Sequence, residues 1–455
     1  MSHKTAPVRV GRGHVELRVP IEADVLQPPA MSALADPHAA LCHALAHPIG
    51  CSSLGQLVAT RRPRSVAIAV SDITRPVPNQ MLLPPLLEVL NRQGIDDAQI
   101  VIIIATGMHR PSTPAERDHM LGPEVQRRCE IIDHRAYDLE SVRTVCDDPP
   151  VRINRRFLDA DFRVVTGLIE PHFMAGYSGG RKGICPGLAD LASIQRFHGY
   201  RVMGDPRSDN GILDGNPCHE EALRVAQLVG CDFLVNVAIT HDRQPAGFFC
   251  GDLVAAHRVG CEQVGQWSSV QVTAPYDLVV TSGGGYPLDA TYYQTVKGMV
   301  SALPATHDRA TLVVLSSCCE GVGSPEYWRL LQRWGHDWQG FLASIRESDQ
   351  VQKDQWEVQM QTRALAKLGP DRVCLVCDGL PSETQRALGI QPLVGDGDAV
   401  TRCQRFVDQY LAAHPAARVA VIPDGPYTMV QVAPHTTTAT ARGSSPGAAC
   451  SGARP

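Results

Sequence analysis

The sequence predicts an α/β protein made of two Rossmann-like α/β domains, with an active site in the crevice between them. Three observations carry this reading. Apolar runs of strand length alternate with helical segments along most of the chain. Three of those runs, in the first half, end directly in polar, ionisable loops, which is where open α/β sheets bind ligands. The pattern then restarts near residue 268 with its own glycine-rich strand end, Ser282-Gly-Gly-Gly-Tyr-Pro287.

A chain of 455 residues exceeds what one ordinary core organises, so a larger N-terminal domain over 1–267 and a smaller C-terminal one over 268–432 are expected. The remainder, 433–455, has too few apolar residues to bury and is expected to be disordered. A formal net charge of -5 and the lack of a basic stripe argue against nucleic acid as a partner. No run approaches the roughly 20 apolar residues of a membrane helix, and no signal-peptide core opens the chain, so no membrane partner and a cytoplasmic location are expected. Fifteen cysteines are an odd number, and many sit inside apolar runs, as Cys374 and Cys377 do. They read as reduced thiols buried in strands rather than as disulfides or half a zinc site.

In chain order, residues 8–19 alternate around a Gly-x-Gly turn and predict a peripheral hairpin. Pro37 to Ala46 reads as a helix with Asp36 as its cap. The run 65–70 is a strand that ends at Ser71-Asp-Ile-Thr-Arg-Pro76, followed by a helix over 80–93. A second strand, 99–105, runs into Thr106-Gly-Met-His-Arg-Pro111, and a third, 162–169, into a loop that reaches Gly187. His198 lies on the helix after that loop. Past a run at 231–240 and a helix near 252–267, four further buried strands are expected at 277–281, 311–315, 372–377 and 417–422. Helices over 291–302 and 355–368 lie between them, and the first places Gln294 and Lys297 on one face.

The loop Glu170-Pro-His-Phe-Met-Ala-Gly-Tyr-Ser-Gly-Gly-Arg-Lys-Gly-Ile-Cys-Pro-Gly187 is the most informative stretch. It is not a phosphate-cradling P-loop, which needs Gly before Lys and Ser or Thr after it; here Arg181 precedes Lys182 and Gly183 follows. Nor does a Gly-x-Gly-x-x-Gly open a helix here. The turn instead offers two cations, Arg181 and Lys182, to a ligand. The strand-end loops together deliver His109, His172, His198, Lys182, Arg75 and Asp72, with Gln294 and Lys297 from the second domain.

These stretches, in this order, resemble the nickel-dependent lactate racemase family: Ser71 to Pro76, Ala105 to Pro111, Glu170 to Lys182, Asn216-Pro217, and Gly284 to Asp289 with Gln294 and Lys297. The resemblance runs from the hairpin to Pro426-Tyr427. It implies a nickel-pincer nucleotide, a pyridinium-3,5-bisthiocarboxylic acid mononucleotide, held by a thioamide link to Lys182, with His198 as the protein ligand of nickel. It also implies that His109 and His172 are the two acid/base catalysts and that Asp72, Ile73, Thr74 and Arg75 line the cofactor. Tyr293, Gln294 and Lys297 would hold the substrate, with Trp356 closing the site, and cofactor-synthesis enzymes would be partners. Met108 and Cys185 depart from the family's pattern, which bears on the pocket's polarity.

The chemistry of a small 2-hydroxy acid suits this set. Its α-hydrogen is too weakly acidic for a histidine to take as a proton, whereas removal as hydride, with loss of the hydroxyl proton, avoids a carbanion. Inverting C2 then calls for one proton acceptor per enantiomer, hence two histidines. Imidazole and sulfur donors suit planar nickel. The alternative from the same residues is a lysine Schiff-base enzyme acting on a small carbonyl acid, with Lys182 as nucleophile.

Overall fold

The computed structural model describes residues 2–348 and 350–433. Two six-stranded sheets, each covered by helices, form two lobes. In the first the order is 245–251, 233–239, 162–168, 66–71, 100–105 and 130–133, all parallel except the edge strand Pro245–Gly251. The central strands are apolar along their length because both faces are covered, and Val66–Ser71 and Ile100–Ala105 expose only their last residues. From Val66–Ser71 the chain adds strands on one side, then returns to lay Phe162–Leu168 on the other. That reversal opens a crevice at the strands' carboxyl ends.

The second sheet repeats this arrangement. Its order is 391–392, 373–376, 306–315, 276–282, 419–422 and 24–25, and all of its pairs are parallel. Strand order reverses beside Tyr276–Ser282, so its glycine-rich end and the following helix Tyr292–Ser301 face the first lobe's crevice.

Helix starts follow the capping residues. Asp36 accepts from the Ala39 N–H, Asp252 from those of Val254 and Ala255, and Thr291 from that of Gln294. The helix expected over 355–368 has those bounds. Cys374 and Cys377 are buried, and all cysteines among the described residues are free. No helix among the described residues is long and apolar enough to cross a membrane. The segment 434–455, most of the tail expected to be disordered, lies outside the described residues.

The hairpin, His3–Val10 with Gly13–Pro20, is not peripheral. It buries Ala6, Val8, Leu17 and Val19 against Leu278, Val280, Val313 and Val421 of the second sheet, and Asp24–Val25 then joins that sheet as an edge strand. Its inward alternation supplies the apolar layer that this face of a parallel sheet requires. The first 26 residues therefore pack with the second lobe, although they precede the first in the chain. Arg9 of the hairpin donates from Nη2 to Nδ1 of His241 in the first lobe at 2.6 Å, and His241 Nε2–H donates to Asp424 of the second at 3.2 Å. The three side chains form a polar clasp between the lobes.

Candidate active site

The loops after Val66–Ser71, Ile100–Ala105 and Phe162–Leu168 form one wall of a cleft of about 1140 Å³, its open mouth included, and helices of the second lobe form the other.

Asp72 and Thr74, in the loop after the first strand, lie beside His109 from the second. Asp72 Oδ2 accepts from His109 Nδ1 at 2.7 Å, and Oδ1 accepts from the Thr74 hydroxyl at 2.6 Å. Burial raises the Asp72 carboxyl, but the hydrogen bonds from His109 and Thr74 and the charges of His109 and Arg75 outweigh it, leaving it below its ordinary value. An ionised Asp72 holds the Nδ1 proton and leaves Nε2 of His109 as the exchangeable site. Arg75 lies 3.6 Å from the Glu170 carboxylate. Ile73 differs from expectation: the turn sends its side chain into the apolar layer around the sheet, away from the cleft.

The third loop is held by Arg181, which is turned away from the cleft and almost fully buried. Its guanidinium donates to the carbonyls of Tyr177 at 2.8 Å and Ala175 at 2.6 Å, so it scaffolds the loop and offers no charge to a ligand there, unlike the pair of cations expected. Gly176 has φ +73°, and a Cβ would run into the Ile212 carbonyl. The loop so folded brings Lys182 Nζ to 2.7 Å from His172 Nε2. His172 Nδ1 accepts from the backbone N–H groups of Ala175 and Met174, at 3.3 and 3.4 Å, so the ring's own proton sits on Nε2. Lys182 must then accept, which requires an uncharged amine. Electrostatics agree: burial, reinforced by the charges of Arg75, Arg181 and Lys297, pushes Lys182 well below the ordinary lysine value. Burial, with the charges of Lys182 and Lys297, does the same to His172.

His198 caps the end of helix Leu191–Phe197 and lines the same cleft. Its Nδ1–H donates to the Ile194 carbonyl at 2.8 Å, which leaves the Nε2 lone pair free. Burial lowers its pKa to about 3, so it is neutral at any ordinary pH. Trp356 lies against it, with ring centroids 4.5 Å apart, and donates from Nε1 to the Tyr293 hydroxyl at 2.9 Å. Gln294 and Lys297 face the cleft from helix Tyr292–Ser301, with Lys297 Nζ 5.6 Å from the centre of the Phe173 ring. Met108 also lines the wall; Cys185 does not. The cleft thus gathers the site residues expected from the sequence except Ile73 and Arg181.

Three participants have no place in the sequence reading. Glu170 is the acidic partner of Arg75, Phe173 lies beneath Lys297, and Glu357 is a buried carboxyl in the cleft wall. Glu357 follows Trp356 on helix Gln355–Leu368, and no sequence signal marked it, because the helix is buried on every side from Gln355 to Thr362.

An open α/β fold that converges two imidazoles, one of them carboxylate-bound, and an uncharged lysine on one cleft defines an enzyme. Comparison with known proteins narrows this. The Lactate racemase N-terminal domain model matches residues 10–211 and the Lactate racemase C-terminal domain model residues 271–430. The chain is 32% identical over 393 residues to the lactate racemase of Thermoanaerobacterium thermosaccharolyticum, covering 85% of this chain and 89% of the relative. It is 33% identical over 386 residues to that of Lactiplantibacillus plantarum, covering 84% and 88%. Among solved structures, the lactate racemase apoprotein from T. thermosaccharolyticum superposes with a TM-score of 0.86 at 29% identity, covering 94% of this chain and all of that one. A Thermotoga maritima protein, at 16% identity and a TM-score of 0.64 over 87% and 98% of the two chains, shares the fold. The chain belongs to the lactate racemase family and is a racemase, an isomerase.

Proposed function

We propose that the protein inverts C2 of a small 2-hydroxy acid, lactate or a close relative, with His109 and His172 as its two acid/bases. The observation that carries this reading is the convergence of these two imidazoles, from loops on either side of the Asp72 loop, on one cleft that also holds an uncharged lysine. His109 Nε2, with Nδ1 anchored by Asp72, takes or returns the hydroxyl proton of one enantiomer, and His172 Nε2 serves the other. Lys297 binds the substrate carboxylate with Gln294 beside it, and Tyr293 and Trp356 close the cleft against water.

The residues present fit a nickel-pincer nucleotide. Nε2 of His198 is a neutral imidazole donor with its partner nitrogen fixed by a carbonyl, as metal-bound histidines require. Lys182 is a nucleophilic free amine, suited to acyl linkage, and Arg75 is a cation for a phosphate or carboxylate. Asp72 and Thr74 border the same space. When bound, the group supplies an acceptor for the α-hydrogen that no side chain offers. Acylation of Lys182 removes its acceptor lone pair and leaves Nε2–H of His172 for the substrate.

We place the working division at residues 27–267 for cofactor and proton transfer and 268–432 for substrate, with residues 2–26 counted in the second lobe rather than in the 1–267 domain expected from the sequence. Unpaired cysteines fit a cytoplasmic setting, where the enzymes that make the cofactor would be its partners. An uncharged Lys182 also suits a Schiff-base enzyme. Co-expression with the cofactor-synthesis enzymes, followed by intact mass, metal analysis and a panel of 2-hydroxy acid enantiomers, decides. The expected result is added mass on the Lys182 peptide, absent in Lys182→Ala, nickel that His198→Ala yields more readily to chelator, and racemisation. Borohydride trapping of a carbonyl substrate on Lys182, with no added mass beforehand, would favour the Schiff base.

A further inference from the structure

Glu357 is 1% exposed, lies in the cleft wall, and has no hydrogen-bond partner for Oε1. No cation lies within 4.0 Å of its carboxylate among the described residues. Lys297 shares the cleft from the adjacent helix, is likewise unpaired, and influences Glu357 through space. A buried carboxyl and an ammonium thus line one cavity with no salt bridge between them among the described residues, both facing the space a ligand would occupy.

We propose that Glu357 is a substrate-positioning residue: its carboxylic acid donates a hydrogen bond to the carboxylate that Lys297 holds. This rests on the functional reading above and adds a second recognition group to it. The charge balance supports the protonated acid. An ionised Glu357 would repel the carboxylate at Lys297, whereas the neutral acid donates to it. The groups facing Glu357 are Lys297 on helix Tyr292–Ser301, Asp354 one turn back on its own helix, Tyr292 and Tyr293 on the former helix, and Tyr327 on helix Pro325–Trp334. Only Lys297 favours ionisation. Burial, with Asp354 adding to it, raises Glu357 against the pull of Lys297, while burial and the charge of Arg75 lower Lys297. Anion binding needs the proton on both groups, and rising pH removes them in two steps because each charge, once formed, holds the other.

The test is the inhibition constant of oxamate, an unreactive carboxylate analogue, against the loaded enzyme from pH 6 to 9.5, in wild type, Glu357→Gln and Glu357→Leu. In wild type, affinity should fall as pH rises, in two steps that approach a limiting slope of about two protons. Glu357→Gln keeps an N–H donor but does not titrate; it should bind within about threefold of wild type at pH 7 and show a slope of about one. Glu357→Leu should weaken oxamate by tenfold or more and raise KM for the 2-hydroxy acid with a much smaller change in kcat. A slope of two in Glu357→Gln, or undiminished binding in Glu357→Leu, overturns the assignment; if the leucine variant does not fold, the slope in Glu357→Gln decides alone. Failure of the wild type to racemise any 2-hydroxy acid overturns the functional reading, and this assignment with it, before any variant is made.

Discussion

Asp72 determines what His109 can do. The carboxylate holds Nδ1–H, so the half-exposed ring presents Nε2 to the cleft in a single tautomer. An amide at this position presents its own N–H to Nδ1 in one orientation and stabilises the imidazolium less in either. Asp72→Asn should therefore lower kcat/KM for both enantiomers by on the order of 100 to 10,000-fold, because each turnover uses both histidines. Activity within threefold of wild type would remove the Asp72–His109 pair from the mechanism. The individual residues were legible because ionisable groups at strand ends are informative by position. Their pairing was not, since 37 positions separate them. Glu357 was hidden by its helix: with Gln355 through Thr362 all buried, no polar face marks which side chain looks into a cleft. Arg181 was misread because a cation in a glycine turn suggests a ligand, and only the folded loop reveals the carbonyls that absorb it.

At the scale of elements, the loop that carries His172 and Lys182 is tied down at its far end by His134, just past strand Glu130–Asp133. His134 Nε2–H donates to the Ala189 carbonyl at 2.8 Å, and Nδ1 accepts from the Asn154 amide at 3.2 Å. The bond from Asn154 needs the neutral ring, and burial lowers its pKa to about 4 against an ordinary value of 6.5. The unfolded chain therefore binds a proton here that the folded one refuses between pH 6.5 and 4. Stability is full above 6.5 and is lost as pH falls toward 4, by up to about 1.4 kcal/mol per pH unit from this residue. Urea melts between pH 7 and 4.5 should show at least that slope, since the buried neutral His172 and His198 add to it, and His134→Gln, which cannot titrate, should reduce it by this residue's share. An identical slope in the variant would place the acid sensitivity elsewhere. Most of the strands and helices read from sequence lie within a residue or two of their bounds, since apolar runs and cap residues are local signals, but His3–Val10 and Thr306–Leu315 each begin five residues earlier than read, and helices such as Pro114–Arg128, Pro217–Val229 and Ala399–Ala413 were not read. The antiparallel edge strand Pro245–Gly251 and the pair Ser269–Val272 with Met429–Val432 were not, because their pairing depends on distant partners.

For the whole molecule, the two-lobed plan was visible in the restart of the strand pattern, but the ownership of the first 26 residues was not, because an alternating hairpin does not say which sheet it covers. Val8, Leu17 and Val19, each fully buried on the second sheet, contribute roughly 1.5–3 kcal/mol apiece, together comparable to a domain's net stability of about 5–15 kcal/mol. A chain starting at residue 27 should thus lose soluble expression, and adding back a peptide of residues 1–26 during refolding should recover a cooperative melt. A soluble, cooperatively folded truncation would show the hairpin to be dispensable. The same placement governs how the protein is made. The hairpin is synthesised before the sheet it covers, strands Tyr276–Ser282 to Val419–Ile422, which is completed about 400 residues later. At synthesis rates of about 5–20 residues per second, its apolar face waits roughly 20–80 s without a partner while the first lobe folds beside it. The nascent chain is a natural client for a chaperone that binds alternating apolar segments, and the first lobe must fold without claiming its own leading strand.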